Sequence, residues 1–201
     1  MRTAEASARI GPNAITRVEA ALTARLGPDT CQQVFARAGQ MRHLVNPPTE
    51  MVPEADVMRL HAELHLVLPQ ADAAAVAAEA GRQTAAYLLA VRIPRLARLL
   101  LRLLPRSTAA WIFTRAIDRH AWTFGGTGRF SATRDAGGLA LLIEDNPACR
   151  AFSADQPSCH YFVETFRGLY AAILGDRVRV VETGCEAAGA DACRFRVTWS
   201  R

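Results

Sequence analysis

Cys159, Glu182, Cys185 and Cys193 are the residues of this sequence whose types and spacing could hold a metal ion. Glu182-Thr183-Gly184-Cys185 sets a carboxylate three residues ahead of a thiol. A glycine-containing hairpin, Glu186 to Ala192, follows, and Cys193 opens the next apolar run. Zinc favours a tetrahedral set, and thiolates with one carboxylate are within its repertoire. Cys159 stands near an expected helix N-terminus, where the macrodipole favours the thiolate. A metal there would pin the helix to the hairpin. Four anionic ligands around a divalent ion leave surplus negative charge, which Arg167, Arg194 and Arg196 are placed in the sequence to offset. The same spacing admits a Cys185–Cys193 disulfide across the hairpin, or small thiols that only pack, because the paired C-x-x-C knuckles of zinc ribbons are missing.

The stretch from Arg92 to Arg106 is the second candidate. On a helix turning ~100° per residue, Arg92, Arg95, Arg98, Arg102 and Arg106 fall within about a third of the circumference, while Leu96, Leu99, Leu100, Leu103 and Leu104 cover the rest. Such a cationic amphipathic helix can lie on an anionic membrane surface, dock on a partner or offer guanidinium forks to carboxylates. It can equally be a surface helix with solvated arginines and buried leucines. His120, flanked by Trp111, Trp122 and Phe124, could ligate a chelated magnesium axially or serve as a hydrogen-bonded packing residue. His61 and His65 have metal-compatible spacing, but without a third ligand nearby they read as packing residues.

A hydride source is hard to place. Gly125-Gly126-Thr127-Gly128-Arg129-Phe130 lacks the third glycine of the dinucleotide fingerprint and leads into a strand. No ferredoxin-type cysteine spacing occurs. Zinc held by four protein ligands offers neither redox chemistry nor an open position.

The elements that must position these residues follow from periodicity. Ile15, Val18, Ala21, Leu22 and Leu26 predict a helix stopped by Gly27-Pro28, with a second helix from Asp29 to Ala38 and a loop from His43 to Pro53. Helices are expected over 54–68, 71–91, 94–104 and 107–122, divided by Pro69, Pro94 and Pro105. From Gly125 onward the texture changes. Strands are expected over 130–134 and 139–143 around the turn Asp135-Ala136-Gly137-Gly138, then a helix over 157–174 ended by Gly175, then strands over 177–182 and 193–199. The expected class is therefore α/β of the α+β kind: a helical N-terminal segment, 1–50, and an α/β domain, 51–201, forming one compact domain. Its sheet of about four strands should be mostly antiparallel because its hairpins are short.

With 201 residues, half of them apolar, the chain can build its own core. No uncharged apolar stretch is long enough to suggest a spanning helix, and the start of the sequence lacks the hydrophobic run of a signal peptide. A cytoplasmic, reducing compartment is expected, which favours metal-bound or free cysteines over disulfides. All 24 basic residues are arginine and the net charge is +5. That charge suits an anionic partner, although the lysine deficit is most simply a matter of genome composition.

Asn146-Pro147-Ala148-Cys149, Cys159, Leu174-Gly175, the run from Val178 to Cys185 and the run from Cys193 to Val197 together resemble the 4-vinyl-reductase domain family, related in fold to a vesicle-tethering subunit of the Golgi. The resemblance covers about a quarter of the chain. In sensor relatives a cysteine, a glutamate and two cysteines at matching spacings hold zinc, which implies structural zinc on Cys159, Glu182, Cys185 and Cys193 here. Arg9 to Ile15, Arg92-Ile93-Pro94-Arg95 and Arg119 to Gly126 are similar to the bacteriochlorophyll-pathway branch. Those sensors carry nucleotide-hydrolysing and DNA-binding domains after this module, and with the sequence ending at Arg201 a regulator of that kind is not expected.

The resemblance implies a tetrapyrrole ligand, a divinyl porphyrin or chlorophyllide intermediate. Arg92, Arg95, Arg98 and Arg102 would hold its propionates, and Trp111, His120, Trp122 and Phe124 its ring. The implied partners are the magnesium chelatase large subunit or the following methyltransferase, with no nucleic acid. A homodimer and peripheral contact with the photosynthetic membrane are compatible with this reading. The alternatives are a vinyl reductase proper and a membrane-surface adaptor for pathway enzymes.

Overall fold

Ile15, Val18, Ala21 and Leu22 form the buried stripe of α1 (Asn13–Arg37), as their spacing requires. The computed structural model describes residues 8–135 and 137–200. The first seven residues and Ala136 of the expected turn lie outside the described residues. The two helices expected around Gly27-Pro28 run on as α1 with a kink, because Gly27 adopts φ 85°, a left-handed value open to a residue without Cβ. Within the expected loop the chain forms a short helix α2 (Arg42–Val45) and a strand β2 (Val52–Pro53), which pairs antiparallel with β1 (Arg9–Ile10).

Pro53, Pro69, Pro94 and Pro105 stand immediately before α3 (Glu54–Val67), α4 (Gln70–Tyr87), α5 (Arg95–Arg102) and α6 (Arg106–Arg119). Each proline breaks the preceding ladder, and none costs the following helix a hydrogen bond. Between α4 and α5, residues Leu88–Arg92 make a π-helical turn, and α7 (Trp122–Gly125) leads to the sheet.

Strands β3 (Arg129–Asp135), β4 (Gly138–Glu144), β5 (Val178–Gly184) and β6 (Cys193–Trp199) form an antiparallel sheet in the order β3-β4-β6-β5. Helix α8 (His160–Leu174), between β4 and β5, lays Phe162, Phe166, Leu169 and Ile173 toward the inward residues Leu141, Val180, Phe195 and Val197. Phe166 meets Phe195 edge to face at 5.4 Å. Helix α4 packs on α8 and α1 packs on α4, so one continuous core runs from Ile10 to Val197 across the boundary expected near residue 50.

Candidate metal centre

Four segments converge at one end of the sheet. Cys193 opens β6 opposite Ile143 of β4. On β5 the register slips between Glu182 and Gly184, a bulge that turns the strand end. Cys185 then leads into a 3₁₀ turn, Glu186–Ala188, closed by Gly189 in the left-handed region at φ 85°. Cys159 is the residue at the N-terminal boundary of α8. The fourth segment is the turn after β4, where buried Asn146 accepts the Ala148 N–H at 3.1 Å on its own side-chain oxygen. That turn carries Cys149 inward.

The sulfurs of Cys149, Cys159, Cys185 and Cys193 all lie within 4.8 Å of one another, and all four residues are buried. Cys149 and Cys185 are 3.3 Å apart, Cys159 and Cys193 3.4 Å, Cys149 and Cys193 3.5 Å, and Cys159 and Cys185 3.8 Å. A tetrahedron of ~2.3 Å zinc–sulfur bonds has sulfur–sulfur edges of about 3.8 Å. The quartet therefore fits a tetrahedral thiophilic ion with little adjustment. All five cysteines are free, so the hairpin disulfide is not formed, and Cys31 packs elsewhere beside the Glu19 carbonyl.

Backbone and amide donors already point at the sulfurs. Ala187 N donates to Cys149 Sγ at 3.2 Å, Glu186 N to Cys193 Sγ at 3.5 Å, and Asn146 Nδ2 to Cys159 Sγ at 3.5 Å. Hydrogen bonds from the Cys149, Cys159 and Cys193 thiols hold Cys185 well below the ordinary thiol range, and Cys193 is lowered as well, first by Cys149 and Cys159. The arginines expected to offset the charge are engaged elsewhere: Arg167 with Glu164, Arg194 with Asp191 and Arg196 with Asp135. Stabilisation of the thiolates falls to these N–H groups and to the α8 N-terminus.

Glu182 stands beside the quartet, outside the group of four sulfurs. Its Oε2 accepts the Cys159 N–H at 2.9 Å, while Oε1 is buried with no hydrogen-bond partner among the described residues. Burial, and then the charge at Cys185, push the Glu182 carboxyl up to about 8. A divalent cation in the quartet would relieve that conflict. The sequence reading passes over Cys149 as a ligand. The signal for it is the Asn146-Pro147 turn placing a thiol ten residues before Cys159.

The remaining candidates fall into separate environments. His120 ends α6, exposed, with Nδ1 2.8 Å from the Ala116 carbonyl. Trp111 lies under the Arg134 guanidinium at 4.7 Å, and Trp122 is exposed. Phe124 joins the core rings Phe130 and Phe162 at 5.6 and 5.9 Å. His61 is buried against the Ala14 carbonyl at 3.2 Å and His65 stacks on Phe152, with burial pushing both imidazoles down to about 4. Arg95, Arg98 and Arg102 do come together, lining with Leu99 a groove of about 230 Å³. Arg98 Nε is buried there with no hydrogen-bond partner among the described residues. Arg92 lies exposed at the end of the π-helical turn.

Fold and site together define a protein of the 4-vinyl-reductase domain class: the model of that domain matches residues 139–199, the span holding β4, β5, β6, α8 and all four sulfurs. The chain is 39% identical to the bacteriochlorophyll synthase 23 kDa chain of Cereibacter sphaeroides, with 94% of this chain and 90% of that one covered. Its identity to the bacteriochlorophyll synthase 23 kDa chain of Rhodobacter capsulatus is 35%, covering 93% and 85%. The chain belongs to this family of 4-vinyl-reductase domain proteins. In fold it is similar to an H-NOX protein from K. algicida, at TM-score 0.58 and 11% identity over 96% of this chain and 97% of that one. At that identity the likeness is one of fold alone.

Proposed function

We propose that this protein serves bacteriochlorophyll biosynthesis as a tetrapyrrole-binding component, holding a divinyl porphyrin or chlorophyllide intermediate and delivering it to a pathway enzyme such as the magnesium chelatase large subunit or the following methyltransferase. The observation that carries this reading is the kinship, over nearly the whole chain, with proteins named as bacteriochlorophyll synthase chains. The groove between Arg95, Arg98 and Arg102 supports the ligand class. A propionate seated there would accept from the orphaned Arg98 Nε and face guanidinium groups on either side. Exposed His120 and Trp122, at the end of α6 and the start of α7, would be the expected side chains open to a ring and its chelated magnesium, whereas Phe124 is engaged in the core and Trp111 by Arg134.

The sulfur quartet would hold zinc as a structural ion. Four thiolates fill a tetrahedral shell, so its role is to fix the β5–β6 hairpin to α8 and the Cys149 turn. Glu182 braces the Cys159 end of that assembly.

An absorption titration with divinyl protochlorophyllide tests the reading. A saturable band shift, unchanged by later addition of reduced nicotinamide cofactor, is the expected result. Replacing Arg95 and Arg98 with Ala should weaken the free acid far more than its dimethyl ester. No band shift would reject the carrier, and conversion to the monovinyl spectrum would establish a vinyl reductase in its place.

A further inference from the structure

From Leu88 to Arg106 the chain contains only Leu, Ala, Val, Ile, Pro and Arg, with five arginines and no acidic or neutral polar residue. A surface helix of this composition would ordinarily turn its leucines inward. Helix α5 does the opposite. Leu96 is 65% exposed, Leu99 57%, Leu100 56% and Leu103 75%, and no residue of α5 is buried. At ~100° per residue these four leucines, with Leu104, span about 140° of arc. The partly buried Leu101 and Arg98 lie on the opposite side, toward the protein. The outward face is a convex apolar ridge, and Val91 on the preceding turn is exposed as well.

Apart from Arg98, the arginines of this stretch are exposed. None of Arg92, Arg95, Arg98, Arg102 and Arg106 forms an ion pair among the described residues. Arg102 Nε donates to the Ala172 carbonyl at 2.9 Å and Arg106 to the Ser200 carbonyl, which ties the lower edge of the helix to the fold while leaving their charge unneutralised.

We infer that α5 and the turn before it dock the protein on an anionic lipid surface, with the leucines entering the headgroup–acyl boundary and the arginines pairing with lipid phosphates. Charge decides the occupant. A second copy placed face to face would bring four exposed, unpaired arginines against four more. A lipid monolayer supplies apolar depth for the leucines and negative charge for guanidinium groups at the same interface. Nor does any helix among the described residues have the length and apolarity to cross a membrane, so contact of this kind would lie in the interface. The inference does not depend on the pigment reading, since the leucine ridge points away from the protein.

The test is flotation of the full chain with phosphatidylglycerol–phosphatidylcholine vesicles, compared with phosphatidylcholine alone. Binding only to the anionic vesicles, weakening with salt, is expected. The variant Leu96→Gln/Leu100→Gln/Leu103→Gln should lose at least about tenfold in partitioning, with its circular dichroism and pigment titration unchanged because these side chains face solvent and none lines the groove between Arg95, Arg98 and Arg102. In a separate Leu100→Trp variant, emission should shift to the blue with anionic vesicles only. Equal binding to both vesicle types, full binding by the triple variant, or a dimer abolished by that variant would each overturn the docking surface. If pigment binding fails while flotation holds, the carrier reading falls and this one stands.

Discussion

Cys149 and Glu182 compete for one role, and metal analysis of their variants distinguishes them. Three sulfurs are common to both ligand sets. Cys149 Sγ completes a quartet in which four of the six sulfur–sulfur edges are 3.3–3.8 Å and all are within 4.8 Å, while Glu182 spends one oxygen on the Cys159 N–H. Cys149→Ser should therefore reduce metal content sharply, whereas Glu182→Gln should retain the metal and lose stability through the weakened brace. Metal analysis on protein purified without chelators checks both, and retention in Cys149→Ser with loss in Glu182→Gln would restore the carboxylate as ligand. Because structural zinc in small sites contributes on the order of 10 kcal/mol, Cys185→Ser and Cys193→Ser should also melt at markedly lower temperature.

Among the elements, the contact between α4 and α8 is closest at Gly81. A Cβ there would sit 2.3 Å from the Tyr161 carbonyl oxygen, and one at Gly168 would sit 2.6 Å from Ala85 Cβ. Around this approach Thr165 Oγ1 donates to the Gly81 carbonyl at 3.3 Å, and the Thr84 and Tyr161 hydroxyls meet at 3.0 Å. Helix propensity alone predicts that Gly81→Ala stabilises α4. Packing reverses the sign, because the obstacle is backbone and cannot rotate away. Gly81→Ala should cost about 2 kcal/mol and lower Tm by roughly 5 °C, measurable by thermal circular dichroism. An unchanged or higher Tm would show that the helices can separate without penalty.

Across the whole molecule, an ion pair with a buried carboxylate joins the helical half to the sheet half. Glu54, at the start of α3, pairs with Arg150 of the Cys149 turn and accepts Thr127 N at 2.8 Å and Thr127 Oγ1 at 2.9 Å from the approach to β3. Arg150 also donates to the Asp145 carbonyl at 2.9 Å. Removing the cation leaves a buried carboxylate short of a partner, so Arg150→Ala should cost about 3 kcal/mol. The double variant Glu54→Gln/Arg150→Met should recover part of that loss in urea denaturation. If the single variant costs no more than the double, the pair does not hold the two halves together.

Periodicity and proline placement were enough to mark the helices, because each local pattern agrees with the packing it meets: Phe162, Phe166 and Ile173 read as buried and are buried, and Pro94 and Pro105 read as breaks and are breaks. The alternation of β6 and the short hairpins likewise settled an antiparallel sheet, and Cys159, Cys185 and Cys193 could be singled out by type and spacing. Three things required the tertiary structure. Cys149 reaches the other thiols only because an Asn146 side-chain turn and the β4–β6 register close the distance, and neither is a periodic signal. Arg167, Arg194 and Arg196 are near the site in sequence, yet the first two pair with carboxylates three residues back and Arg196 pairs with Asp135 of β3. The leucines of α5 have the spacing of a buried stripe, and which way a stripe faces is set by what the rest of the fold leaves beside it, here α8 under Leu101 and solvent over the others.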